Sequence, residues 1–148
     1  MDEVDRKILN QIQSDFPIDV NPYVIIGEKI GIGAQEAFAR VRALRESGII
    51  RRIGAIFDRS NIGFAGTLCA ARVPDEQVAD FVSVVNACTG VTHNYRRNNE
   101  YNIWFTLIAP SMEDIERIIA RIGEETGISD ILNMPAVRTY KIKATFEL

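Results

Sequence analysis

Apolar residues recur with two different periods along the chain, and the change falls near residue 50. At the start, Val4, Ile8, Leu9 and Ile12 stand at i, i+4, i+5 and i+8, the stripe of an amphipathic helix. Asp15-Phe16-Pro17 ends it, because proline disfavours helical geometry at the preceding residue. Pro22 suits the first turn of a second helix, expected through about Ile30. Gly31-Ile32-Gly33 reads as a turn. Residues 34–47 have the best helix composition, with Phe38, Val41 and Leu44 predicted on the inner face and Gly48 as the stop. Three short helices with a glycine-containing turn before the third outline a helix-turn-helix, and equally a plain three-helix bundle.

Beyond Ile49 the period shortens. Residues 51–57 alternate towards a strand, and 67–73 read as another. Residues 75–86 are predicted helical, with Val78, Phe81, Val82 and Val85 on one side. A hairpin is expected from 90–97 and 101–109 around Asn98-Asn99. Ser111, with Asp114 three residues on, opens a helix over 112–126 that Gly127 ends. Residues 136–146 alternate again as a last strand. From Thr67 the order is β-α-β-β-α-β, the ferredoxin-like split βαβ arrangement, with helices on one sheet face and the other face open. The expected fold class is therefore α+β: a three-helix, winged helix-turn-helix domain over 1–50, then a ferredoxin-like βαββαβ domain over 51–148.

A two-residue loop at Asn98-Asn99 would set Arg97 opposite Glu100, Tyr95 opposite Asn102, and His93 opposite Trp104. Cross-strand partners share a face. One face then carries His93, Tyr95, Arg97, Asn102 and Trp104. The other carries Ile103, Phe105 and Leu107 with Thr92, Asn94, Arg96 and Tyr101. The apolar set suits the helix-covered side, so the first set is expected on the open face or at an intersubunit cleft. His93 is the only histidine and the sharpest candidate for chemistry; its plainer role is a hairpin histidine bonded to a carbonyl. Arg96 and Arg97 point to opposite faces, so Arg97 belongs with His93 unless it merely pairs with Glu100.

Charge narrows the function. Net charge is −3 and the pI about 5.2, awkward for a protein whose DNA affinity would come from neutralising phosphates. Segment 1–52 balances eight basic against eight acidic residues, and Glu36 follows Gln35 at the start of the third helix. Nucleic acid is an unexpected partner on this reading. Cys69 and Cys88 have no CxxC spacing, so buried free thiols are expected rather than a metal site or disulfide. No apolar run approaches the ~20 residues of a membrane span, and the acidic Met1-Asp2-Glu3-Val4-Asp5 start is unlike a secretory leader. A cytoplasmic, membrane-free protein is expected.

Asp5-Arg6-Lys7-Ile8-Leu9, and the run Arg40-Val41-Arg42-Ala43-Leu44-Arg45-Glu46-Ser47-Gly48-Ile49-Ile50, resemble the Lrp/AsnC regulators. That resemblance implies the fold and leaves the function open. A narrower one lies in Arg51-Arg52-Ile53-Gly54-Ala55, Ile62-Gly63-Phe64, Gly90-Val91-Thr92-His93-Asn94-Tyr95-Arg96-Arg97 and Tyr101-Asn102-Ile103-Trp104-Phe105-Thr106. These segments resemble the siroheme decarboxylases, which include the Ahb-type enzymes of alternative heme synthesis and the Nir proteins of heme d1 synthesis. The resemblance implies loss of carbon dioxide from the C12 and C18 acetates of siroheme, giving 12,18-didecarboxysiroheme. It implies a paralogous B-type partner subunit, and no cofactor beyond the iron of the tetrapyrrole itself, with heme as a further bound ligand. Asp58-Arg59 stands where the B-type subunit tends to show a His-Arg pair, which makes this chain similar to the A-type subunit.

A carboxylate-rimmed macrocycle asks for an aromatic platform and for arginines, whose planar fork donates two parallel hydrogen bonds. Within the resemblance, His93 and Arg97 are the candidate catalytic residues. Arg51, Arg52, Tyr95, Arg96, Trp104, Arg138 and Lys141 are the candidate substrate-binding residues, Arg138 lying on the opposite strand face from Lys141 and Lys143. His93 could supply a proton, position an acetate or approach the iron as an axial ligand; no protein metal site is implied. The competing reading is a DNA-binding regulator of the Lrp/AsnC type, one variant of it heme-responsive. A third is a non-catalytic partner that only stabilises its paralogue.

Overall fold

A computed structural model describes residues 1–141 and 145–148. The chain divides into two units, Met1–Ala55 with Lys141–Leu148, and Ile56–Tyr140.

The first unit holds α1 (Glu3–Ile12), α2 (Pro22–Ile30) and α3 (Ala34–Glu46). Asp2 caps α1 reciprocally: its carboxylate accepts from the Asp5 N–H at 2.9 Å, and Asp5 accepts from the Asp2 N–H at 3.0 Å. That backbone donation, with Arg40 beside it, holds the Asp2 carboxyl below its ordinary value. Ile8, Leu9, Val41, Leu44 and Ile50 form the core, with Ile12 and Tyr23 packed against it. The turn between α2 and α3 closes on Gly27, where an added Cβ would stand 2.6 Å from the Ile32 carbonyl oxygen. Phe38 departs from the expected inner face: it is 48% exposed, edge-on to Tyr23, while Ala37 is fully buried in its place. The helix turns about 100° per residue, so the buried row of Val41 and Leu44 runs back to Ala37. The C-terminal residues lie along α1, where Gln13 donates to the Phe146 carbonyl and accepts from its N–H, at 2.7 and 2.9 Å.

Residues 51–57, expected as a strand, are irregular and exposed. Alternation alone cannot make a strand; the backbone needs a neighbouring strand for its hydrogen bonds, and no described strand pairs there.

The second unit runs β1 (Ala65–Ala71), a 3-10 turn (Asp75–Gln77), α4 (Val78–Ala87), β2 (Val91–Arg96), β3 (Ile103–Ala109), α5 (Met112–Thr126) and β4 (Ile131–Pro135). Strand order is β2-β3-β1-β4 with every pairing antiparallel, the ferredoxin-like arrangement. Phe81 and Val85 of α4 and Ile115 and Ile122 of α5 bury one sheet face with Cys69, Ile103, Phe105 and Leu107. Ser111 caps α5, its hydroxyl accepting from the Asp114 N–H at 3.0 Å. Cys69 and Cys88 are both free and buried, and burial pushes the Cys69 thiol up to about 12. Among the described residues the last strand is Ile131–Pro135: its Leu132 and Met134 pair with Ala70 and Leu68, whereas 136–141, expected as strand, are exposed and unpaired. Proline lacks the N–H to continue a ladder and ends this edge strand. The remainder of the expected span includes 142–144, hence Lys143, which lies outside the described residues.

Candidate active site

Both helices of the second unit pack on one sheet face, and the β2–β3 hairpin decides what stands on the other. The observed register sets Tyr95 opposite Trp104 and His93 opposite Thr106, two residues away from the expected pairing. The turn is longer than two residues, closed by the Arg97 N–H donating to the Asn102 carbonyl at 2.7 Å. A slip of one residue would have inverted every side chain; a slip of two preserves the faces. His93, Tyr95 and Trp104 therefore share the open face, as expected, while Ile103, Phe105 and Leu107 are buried on the other.

A bulge between Val91 and His93 changes one assignment. An extra residue there leaves Thr92 and His93 together opposite Thr106. Thr92, expected under the helices, instead brings its Oγ1 to 2.6 Å from the Thr106 Oγ1 and 3.1 Å from the His93 Nδ1. Thr106 Oγ1 is 3.4 Å from the same Nδ1. Two hydroxyls thus hold one edge of the imidazole, leaving Nε2 as its remaining polar atom. The ring stacks on Tyr95, centroids 6.0 Å apart and planes at 23°. Arg97 continues the run, its guanidinium carbon 5.4 Å from the Tyr95 ring centre. These side chains line an open depression of about 630 Å³ with Leu68, Trp104 and Thr106, and Asn98 and Asn99 stand at its loop end. The Trp104 N–H donates to the Tyr101 carbonyl at 2.7 Å. The indole thereby satisfies its only donor within the hairpin and offers the depression an apolar surface.

Other candidates are not brought here. Arg96 pairs with Asp75 at 2.7 Å, as its strand parity requires. Glu100 pairs with Arg72 at 2.9 Å, so the alternative partner foreseen for Arg97 is taken. Asn102 leaves the expected open-face set: its amide clasps the Val73 N–H and carbonyl at 3.0 and 2.8 Å. Tyr101 donates to Asp130 at 3.0 Å. Arg51 and Arg52 belong to the first unit, where they line a groove with Leu9, Phe16 and Ile53. Arg138 lies in an irregular segment with its guanidinium carbon 5.1 Å from the Tyr140 ring centre, and Lys141 is exposed, so neither holds the strand position foreseen for it. Leu68 and Thr106 were missed as site residues. Thr106 was legible, two residues beyond Trp104 on one strand, whereas Leu68 required knowing that β1 lies beside β3.

In the first unit, two of the three arginines on the third helix are held by acids. Arg40 donates to Asp2 at 2.8 Å, to Asp5 at 2.9 Å and to Glu36 at 2.9 Å, and those three acids hold its proton more tightly than usual. Arg42 pairs with Glu46 at 2.8 Å.

A helix-turn-helix followed by a helix-backed sheet with one open face is the architecture of the AsnC-like proteins. Residues 61–141 match the model of the AsnC-like ligand binding domain, and the structure of AsnC from E. coli superposes with a TM-score of 0.81 over 97% of both chains at 15% identity. Residues 5–51 match the siroheme decarboxylase NirDL-like HTH domain. The siroheme decarboxylase alpha subunit of Nitratidesulfovibrio vulgaris is 53% identical over the whole of this chain and 84% of its own length. The NirG subunit of Stutzerimonas stutzeri siroheme decarboxylase is 35% identical over 99% of both chains. The chain belongs to the siroheme decarboxylase family, whose members are carboxy-lyases. The crystal structure of the siroheme decarboxylase NirDL in co-complex with an iron-uroporphyrin III analogue superposes at a TM-score of 0.70 and 32% identity, over 96% of this chain and 48% of that one. Among the described residues, no helix is long and apolar enough to cross a membrane.

Proposed function

We propose that this chain is the A-type subunit of a cytoplasmic siroheme decarboxylase, acting with a paralogous B-type subunit to remove the C12 and C18 acetate carboxyls of siroheme. In this reading 51–148 binds the tetrapyrrole and 1–50 is a helix-turn-helix retained for packing. The observation that carries it is the run His93, Tyr95 and Arg97 beside Trp104 and Leu68 on the open sheet face. A flat aromatic and aliphatic surface suits a macrocycle, and an arginine with no acid partner among the described residues suits its carboxylate rim. The tetrapyrrole analogue bound to the related NirDL supports the same ligand class.

The chemistry asks for little more. Breaking the bond between an acetate methylene and its carboxyl releases carbon dioxide and leaves the electron pair on the methylene carbon; one proton then makes a methyl group. His93 is the donor in this proposal, because Nδ1 is engaged by hydroxyls and Nε2 is free to deliver. Arg97 holds a neighbouring carboxylate so that the scissile one is positioned. The iron belongs to the substrate. Arg51, Arg52, Arg138 and Lys141 remain candidate rim contacts from segments outside the depression.

The regulator alternative needs positive charge on the third helix. The three acids around Arg40 and the Arg42–Glu46 pair weigh against it.

The test is to co-express the chain with its paralogue, supply siroheme without oxygen and follow product mass. The expected result is loss of two carbon dioxide units, slowed about 10²–10⁴-fold by His93→Ala. An unchanged mass with the unmodified complex would sink the proposal. Unimpaired turnover by His93→Ala would instead leave this chain a non-catalytic partner.

A further inference from the structure

Resting on that reading, we propose that Arg59 is a second carboxylate-binding residue of the site, gripping the edge of the tetrapyrrole opposite Arg97, and that Gly66 exists to seat its guanidinium. β1 pairs with β3 without interruption from Ala65 to Ala71, so Gly66 shares the face of Leu68, the open one. A Cβ added at Gly66 would stand 2.6 Å from Arg59 Nη1, 2.8 Å from Cζ and 2.9 Å from Nε. The guanidinium therefore lies against the bare glycine backbone, on the sheet face that carries His93, Tyr95 and Trp104.

The preceding loop delivers it there. The Phe64 N–H donates to the Arg59 carbonyl at 2.8 Å, and the Gly63 N–H to the Ser60 carbonyl at 3.2 Å. Gly63 has φ +78°, the left-handed conformation that lets the chain reverse and enter β1. Asp58, the nearest acid in sequence, accepts from the Ser60 N–H and hydroxyl. Those bonds, and to a smaller degree the charge of Arg59, hold its carboxyl below the ordinary value, and Arg59 forms no ion pair among the described residues.

Position completes the case. Tyr95, Trp104 and Ala70 form one row across the sheet, and Arg97, two residues past Tyr95 on the side away from Gly66, lays its guanidinium over the Tyr95 ring. Gly66 is four residues along β1 from Ala70, about 13 Å, and two strands over from β2, about 10 Å. Two guanidinium groups thus bracket an apolar floor diagonally, at a spacing of the order of a tetrapyrrole's width. A flat ligand with carboxylates on opposite edges meets both; one with carboxylates on a single edge does not.

The experiment uses the chain in complex with its partner subunit, titrated with iron uroporphyrin, which carries carboxylates on every edge, and with protohaem, whose propionates share one edge. Arg59→Gln is expected to raise the Kd for iron uroporphyrin about ten- to hundredfold, the loss of a charge-assisted pair, with protohaem binding little changed. With siroheme the same variant raises KM and leaves kcat within about twofold. Arg59→Lys recovers part of the affinity, and Gly66→Ala, which displaces the guanidinium and keeps its charge, weakens iron uroporphyrin selectively. Unchanged binding of iron uroporphyrin by Arg59→Gln, or equal losses for both ligands, overturns the role of Arg59 while the decarboxylase reading stands. An unmodified complex that binds neither macrocycle overturns both.

Discussion

What separates one arginine from another here is whether an acid has already claimed it. Arg40, Arg72 and Arg96 each bind carboxylates within 3.1 Å, and such a guanidinium has few donors left for a ligand. Arg97 instead rests on Tyr95, a contact that orients the fork without neutralising it. His93 is held in the same spirit, by hydroxyls and by stacking. Thr106→Val removes one of those hydroxyls at nearly constant volume and also leaves Thr92 bonded to His93 alone. We expect it to lower kcat about fivefold, the worth of roughly one neutral hydrogen bond, with tetrapyrrole affinity unchanged and Thr106→Ser restoring the rate. Steady-state kinetics with siroheme on the complex check this. A fall in affinity equal to the fall in rate would mean that Thr106 shapes the floor rather than aims the imidazole.

At the scale of elements, the hairpin shows why faces are easier to read than registers. Alternation assigned His93, Tyr95 and Trp104 to one side, and the two-residue shift left that intact because side chains repeat every two positions. The bulge at Thr92 was invisible, since nothing in Gly90-Val91-Thr92-His93 distinguishes a regular strand from one with an extra residue. Residues 51–57 and 136–146 alternate as well as β3 does, yet neither makes a strand among the described residues; pairing is a property of two segments and cannot be read from one. Caps, by contrast, are local. Ser111 sits directly before α5, and its side chain meets a backbone donor three residues away. Ser111→Ala is expected to destabilise the protein by about 1 kcal/mol, measured by urea unfolding, with turnover unaffected. A change in turnover at saturating siroheme would show that α5 is coupled to the open face.

Across the whole molecule, an enzyme of this family keeps the outline of a DNA reader. Its helix-turn-helix unit buries a proper core, yet two of the third helix's three arginines are claimed by acids, Arg40 by Asp2, Asp5 and Glu36 and Arg42 by Glu46. Phe38, Ile18, Val20 and Val24 stand exposed on the same unit, apolar side chains that offer phosphate no charge. Fluorescence anisotropy with labelled duplex DNA should therefore show no binding at physiological salt, and no steep salt slope below it. A slope corresponding to several released counterions would return the regulator to contention. The sequence by itself determined the helices, the βαββαβ order, the shared face of His93, Tyr95 and Trp104, and the family, because these follow from local periodicity, caps and short motifs. Only the tertiary structure decided which strands pair, where the bulge falls, which acid claims which arginine, and that Arg59 comes to rest on Gly66. Those are contacts between segments far apart in the chain, set by how backbones meet in space rather than by any local pattern.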